Sequence, residues 1–179
     1  IKDFKDVKIA GPGFINIDLS NDALVKIINK IFKDSSYFGS FNSNFKFNIE
    51  FVSANPTGPM HVGHCRGAIF GDVLSNLLKF NGNKVTKEYY INDYGNQIKN
   101  FVKSVYLRIR EIKYKEKFKD EKDLYPGEYI RDIAQKILTN NSLKFNSFEK
   151  SFDFLANEAL SYSMDMVKSD LTKLGIIHD

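Results

Sequence analysis

Residues 50–67 read Glu50-Phe51-Val52-Ser53-Ala54-Asn55-Pro56-Thr57-Gly58-Pro59-Met60-His61-Val62-Gly63-His64-Cys65-Arg66-Gly67. An apolar run ends in a Pro- and Gly-rich turn. Two histidines follow, three residues apart with a glycine between them, and then a stretch of helical period. That order puts two imidazoles at a helix N-terminus, where unpaired N–H groups and the helix dipole attract anionic oxygens. Gly63 leaves room for a flat base against the backbone. Pro56, Gly58 and Pro59 fix a tight approach from the preceding run. His64 sits one turn beyond His61, so the two rings can flank one small anionic centre. Nucleotidyl transfer from ATP is the chemistry that suits such a pair. By itself the H-x-G-H tetrapeptide is equally compatible with a helix start that happens to hold two histidines.

The flanking sequence supplies a fold. Residues 45–52 alternate Phe45, Phe47, Ile49 and Phe51 as a strand. The helix after the histidines carries Ile69, Phe70, Val73, Leu74, Leu77 and Leu78 on one apolar stripe and ends at Asn81-Gly82, a left-handed C-cap signal. Residues 85–91 read as a second strand. Strand, helix and strand make a βαβ unit, for which a right-handed crossover is expected. Its ligands bind at the carboxyl ends of the strands, here residues 52–55 and 91–93.

Upstream, residues 5–19 read as two strands around Gly11-Pro12-Gly13, and Ser20 or Asn21 caps a helix with Leu24, Ile27, Ile28 and Ile31 on one face. Residues 35–45 have no period and read as a linker. Downstream, residues 93–109 look helical, with Asn92 or Asp93 as the cap and Gly95 permissive. Residues 110–123 hold six basic and five acidic side chains and read as a solvated helix end or surface insertion. Pro126 suits the first turn of a helix containing Ile130, Ile133, Ala134, Ile137 and Leu138, which Asn140-Asn141 breaks. A last helix runs from about residue 147 to 174, with Phe148, Phe152, Leu155, Ala159, Met166, Leu171 and Leu174 as core.

Composition bounds the rest. The chain has 179 residues, 42% apolar and 27% charged, with a net charge of +4. That is an ordinary globular balance, compatible with a nucleic-acid partner without requiring one. One cysteine, Cys65, excludes an intrachain disulfide and favours a reducing compartment. No stretch is long and apolar enough to span a membrane, and no leader pattern opens the sequence. The opening at Ile1 and the close at Asp179 suggest a piece of something longer. Zinc is disfavoured: His61, His64 and Cys65 lack a fourth ligand, and neighbours on a helix point about a quarter-turn apart.

Residues 50–64 resemble the signature of the bacterial-type arginyl-tRNA synthetases, a family of class I aminoacyl-tRNA synthetases. Arg66-Gly67, Gly71-Asp72, Tyr89-Tyr90-Ile91-Asn92-Asp93-Tyr94-Gly95-Asn96-Gln97-Ile98, Ala10-Gly11-Pro12-Gly13-Phe14-Ile15-Asn16 and Tyr125-Pro126-Gly127-Glu128-Tyr129-Ile130 are similar too. The resemblance implies an α/β fold: the Rossmann-like nucleotide-binding half of a class I synthetase, with a parallel sheet and H-x-G-H at its first helix. Residues 1–34 would end a small α+β tRNA-contacting domain, 35–45 would link, and 46–179 would form the first half of the catalytic domain with part of a helical insertion.

The resemblance also implies roles. His61 and His64 would stabilise charge at the α-phosphorus, and ATP would be held by His61, Gly63, His64 and Gly58. Arginine would be held by Glu50, Ser53, Ala54, Asn55 and His64. Asn92, Asp93, Gly95 and Gln97 would form a further wall of the site, and no metal site is assigned. The implied function is an ATP-dependent arginine–tRNA ligase, with arginine, ATP and tRNA(Arg) as partners, Mg²⁺ accompanying ATP, a cytoplasmic location and a commonly monomeric state. The family's K-M-S-K loop, guanidinium pocket and anticodon-binding domain would lie beyond Asp179. Two other readings stay open: a small nucleotidyltransferase sharing H-x-G-H, and a non-catalytic tRNA-binding or regulatory piece of a synthetase.

Overall fold

The computed structural model describes residues 3–36, 43–118 and 121–179. The middle of the expected linker and two residues of the charged segment lie outside these.

The first unit is a hairpin and a helix. β1 (Phe4–Ala10) pairs antiparallel with β2 (Phe14–Leu19), with a bulge between Phe4 and Asp6. Gly11 and Gly13 turn the chain at φ 55° and 118°, a region costly for residues with a Cβ. Ser20 caps α1 (Asn21–Lys33) by accepting from the Ala23 N–H at 3.2 Å, as its sequence predicts.

The second unit is the βαβ core. β3 (Lys46–Glu50) and β4 (Lys84–Glu88) pair in parallel, Lys46 opposite Lys84 through to Glu50 opposite Glu88. Both strands are shorter than their patterns predict. β3 stops because the backbone turns left-handed at Val52 and Ser53, φ 69° and 40°. Burial deepens along β3, from exposed Phe45 through half-buried Ile49 to buried Phe51. Between the strands runs α2 (Val62–Phe80), which ends as expected: Gly82 at φ 83° donates to the Lys79 carbonyl and Asn83 to that of Leu78.

The buried face of α2 differs from its apolar stripe. Ile69, Phe70, Val73 and Leu77 are exposed, and Leu74 and Leu78 half-buried. Ala68, Gly71 and Ser75 face the strands instead. Close approach is the reason: a Cβ on Gly71 would lie 2.3 Å from the Phe51 ring. Lys87 of β4, itself buried, crosses to α2 and pairs with Asp72 at 2.6 Å and Asn76 at 3.1 Å.

The third unit holds three helices: α3 (Asn96–Tyr114), α4 (Glu128–Asn140) and α5 (Phe148–Lys173). Phe101, Val102, Val105 and Ile109 of α3 pack with Ile130, Ile133, Ala134 and Ile137 of α4 and with Leu155 and Ala159 of α5. Two expected helix starts shift. The N-cap of α3 is Gly95, at φ 98°, not Asn92 or Asp93, because the positive φ there lets the chain enter the helix directly. Gly127 is the N-cap of α4, which leaves Pro126 just outside the helix. α5 reaches the βαβ core, where Val167, Leu171 and Ile176 join Phe51 and Ala68 in a second cluster. The chain after α5 returns to β4, and the Asp179 N–H donates to the Lys87 carbonyl at 3.0 Å.

Candidate active site

The strand end unfolds into a displayed loop through two tight turns. The Ser53 N–H donates to the Phe51 carbonyl at 3.0 Å around Val52, and the Thr57 N–H to the Asn55 carbonyl at 2.7 Å around Pro56. A left-handed β-branched residue such as Val52 costs on the order of 1–3 kcal/mol, so the surroundings must hold it. They do so through the neighbouring strand end. The Ser53 hydroxyl donates to Glu50 Oε1 at 2.6 Å and accepts from the Tyr90 N–H at 3.1 Å. Tyr89 Oη donates to the Ala54 carbonyl at 2.7 Å, and burial raises its pKa. Asn55 donates from Nδ2 to Gln97 Oε1 at 2.6 Å and accepts from Asn92 Nδ2 at 3.2 Å.

The residues expected to bind a substrate thus divide. At the strand ends Glu50 and Ser53 join the Tyr90 backbone, Asn55 joins Asn92 and Gln97, and buried Ala54 offers its carbonyl to Tyr89. Gly95 starts α3 beside them in sequence. Asp93 is exposed and has no bond to these groups.

His61 is the N-cap of α2, and the two histidines satisfy each other's turn. His61 Nδ1 accepts from the Gly63 N–H at 3.1 Å, and His64 Nδ1 accepts from the His61 N–H at 3.3 Å. Their rings stack with centroids 3.7 Å apart and planes 19° apart. They therefore lie face to face, a mutual arrangement that the spacing alone did not specify. Because each Nδ1 accepts from backbone, the neutral tautomer carries its proton on Nε2, and both rings present a donor there. Burial, then the neighbouring His61, lowers the pKa of His64, which keeps that ring neutral. Gly63 has a second reason to be glycine: a Cβ would stand 3.0 Å from the His61 ring.

Three supporting side chains are not legible as such in the sequence. His178 packs against Phe51 with ring centroids 4.3 Å apart and planes tilted by 34°, and meets Tyr89 edge-on, far from both in the chain. Of the adjacent pair Tyr89 and Tyr90 the sequence suggests one buried and one lining the site, without saying which; Tyr89 is half-buried and Tyr90 exposed. Tyr129, from α4, donates its hydroxyl to the Thr57 carbonyl at 2.9 Å. The similar stretch at residues 125–130 was the one signal for it.

A parallel strand pair, its connecting helix opened by two imidazoles, and polar side chains gathered at the strand ends form an α/β unit of the class I synthetase kind. A family model described as "tRNA synthetases class I (R), catalytic domain" matches residues 26–171, and the chain belongs to that family. It is 52% identical over 182 residues to an arginine–tRNA ligase of Pelagibacter ubique, covering 98% of this chain and 31% of that relative. Against one from a Wolbachia pipientis strain of Culex pipiens it is 46% identical, covering 97% and 31%. A solved Campylobacter jejuni chain described as an arginyl-tRNA synthetase superposes with a TM-score of 0.82 at 35% identity, covering 90% of this chain and 36% of that one. A Thermus thermophilus structure, at a TM-score of 0.55 and 16% identity, shares the fold. The chain spans about a third of the length of the curated relatives it matches.

Proposed function

We propose that the complete protein is an arginine–tRNA ligase and that residues 46–179 carry the first half of its catalytic domain. Residues 1–34 would then belong to the tRNA-contacting domain. In the first step a carboxylate oxygen of arginine attacks the α-phosphorus of ATP and pyrophosphate leaves. In the second, a terminal ribose hydroxyl of tRNA(Arg) attacks the arginyl carbonyl and AMP leaves. The observation that carries this reading is the pair of Nε2–H donors stacked on the first turn of α2, at the end of the sheet where strand-end residues are displayed.

In this reading His61 and His64 donate to phosphate oxygens as negative charge grows in the transition state, and Gly63 allows the nucleotide close to the backbone, while the side-chain direction of Gly58 is taken up by the Tyr129 hydroxyl. Glu50 pairs with the α-ammonium of arginine, while Ser53 and Asn55 orient its carboxylate. The existing bonds of Ser53 to Glu50 and Tyr90, and of Asn55 to Gln97 and Asn92, hold these groups ready. Asp93 and Gly95 complete the wall. Mg²⁺ would accompany ATP as the MgATP complex. A cytoplasmic, monomeric enzyme follows from the same family reading. No helix among the described residues is long and apolar enough to cross a membrane.

The test is ATP–pyrophosphate exchange by the complete protein with arginine and tRNA present. His64→Ala is expected to slow exchange by about 10²–10³, the usual loss for one transition-state donor. An exchange rate within twofold or so of the parent removes His64 from the mechanism.

A further inference from the structure

We propose that Tyr129 is a positioning residue for this site, one that locks the chain entering His61 to the helical unit through its hydroxyl. The proposal rests on the functional reading above and extends it to a residue outside the βαβ core. Tyr129 lies in the first turn of α4, 72 positions from the carbonyl of Thr57 to which it donates at 2.9 Å. Its ring is wedged between two glycines. A Cβ on Gly58 would stand 2.9 Å from the Tyr129 hydroxyl, and one on Gly127 would stand 2.5 Å from the ring. Both positions need the missing side chain for the same contact. Gly127 clears the base of the ring, and Gly58 clears its tip.

The base of the wedge is itself fixed. Tyr125 donates its N–H to Ser104 Oγ at 2.9 Å and sets its ring edge-on against Phe101 at 5.9 Å. Arg108 donates from Nη2 to the Pro126 carbonyl at 3.0 Å. Side chains of α3 thereby hold residues 125 and 126, these lead into Gly127 and Tyr129, and Tyr129 holds Thr57. On the other side, Pro56 is fully buried and Pro59 stiffens the short run to His61. A displacement of Thr57 therefore starts only four residues from the first imidazole, along a run in which Pro59 fixes one φ and the Tyr129 ring crowds Gly58. Burial, and then the neighbouring Tyr125, push the Tyr129 hydroxyl up to about 12, so it remains a proton donor at any working pH.

Tyr129→Phe keeps the wedge and deletes the donor. In the complete protein it is expected to lower kcat/KM for ATP in pyrophosphate exchange roughly three- to tenfold, with KM for arginine unchanged, because the Ser53 and Asn55 contacts do not involve it. The melting temperature should stay within about 3 °C of the parent. Gly58→Ala, which pushes on the same contact, should be less harmful in the Tyr129→Phe background than in the parent, since the two changes act through one contact. Unchanged exchange in Tyr129→Phe, strictly additive losses, or a loss explained by unfolding would each overturn the proposal and leave the hydroxyl a purely structural bond. His64→Ala measured alongside separates the two claims. If it is impaired while Tyr129→Phe is not, positioning fails and the site stands; if neither is impaired, the site reading itself fails.

Discussion

His61 and His64 accept hydrogen bonds from the helix on one side of each ring and keep a donor on the other. Protonating His64 Nδ1 would replace the acceptor for the His61 N–H by a second donor, so acid works against the first turn of α2 as well as against the neutral tautomer of His64. The sign of the pH dependence follows. His64 and His178 both have pKa values lowered from 6.5, in each case chiefly by burial. Below that value the unfolded chain takes up protons that the folded one refuses, so stability is complete above it and is lost as pH falls toward the folded-state values. Thermal unfolding of the complete protein across about pH 5–8 should show the melting temperature dropping on the acid side, with a shallower drop in His64→Gln. A drop of equal slope in the variant would mean that His64 does not contribute. The histidines themselves were legible at this scale because their spacing, Gly63 and the Pro–Gly turn have direct chemical meaning. Their stacking was not: an i, i+3 spacing specifies a shared face but leaves the side-chain torsions open, and the ring positions depend on which backbone N–H each Nδ1 captures.

Among the elements, α2 carries the sharpest lesson. Its large apolar residues suggested the core side, and its small ones proved to face the strands. The strand end at Phe51 comes so near that only Gly71 fits beneath it. A hydrophobic stripe reports where water is unfavourable, whereas helix–strand distance is set by side-chain volume. The buried Lys87–Asp72 pair ties the same two elements. Removing one partner leaves a charge in a nearly dry place, so Asp72→Ala should cost about 3 kcal/mol in a denaturant titration. Replacing both, as Asp72→Leu with Lys87→Met, should recover most of that. A single variant within about 0.5 kcal/mol of the parent would show the pair to be dispensable. Nothing in the alternation of residues 84–88 marked Lys87 as buried. Its long stem reaches across only because the parallel register sets it opposite Ile49 and next to α2.

At the scale of the molecule, beside the N-terminal hairpin and α1, a three-helix core joins a two-stranded βαβ core, and the candidate site lies at that joint. α5 supplies Val167 and Leu171 to the strand side, and α4 supplies Tyr129 to the loop. The outer faces tell a different story. Ile69, Phe70 and Val73 of α2 line an open hollow with Val62 and Cys65, and Ile28 and Phe32 of α1 are likewise exposed. The sequence 1–179 also contains no K-M-S-K loop. If the complete protein is the proposed ligase, residues 1–179 alone are expected to form no arginyl-tRNA, and their exposed apolar faces to bind an apolar-surface dye strongly. Measurable arginylation by residues 1–179 would overturn that expectation.

The sequence by itself determined the order of elements, the helix that opens on two histidines, and the strand-end segment that displays Ser53 and Asn55. Local period, caps and turn chemistry act over a few residues and can be read from them. Only the tertiary structure decided which face of α2 is buried, that Lys87 is paired, that the imidazoles stack, and that Tyr129 reaches Thr57. Each of those depends on the distance between groups remote in the chain, and that distance is fixed by packing volume, which no short stretch of sequence contains.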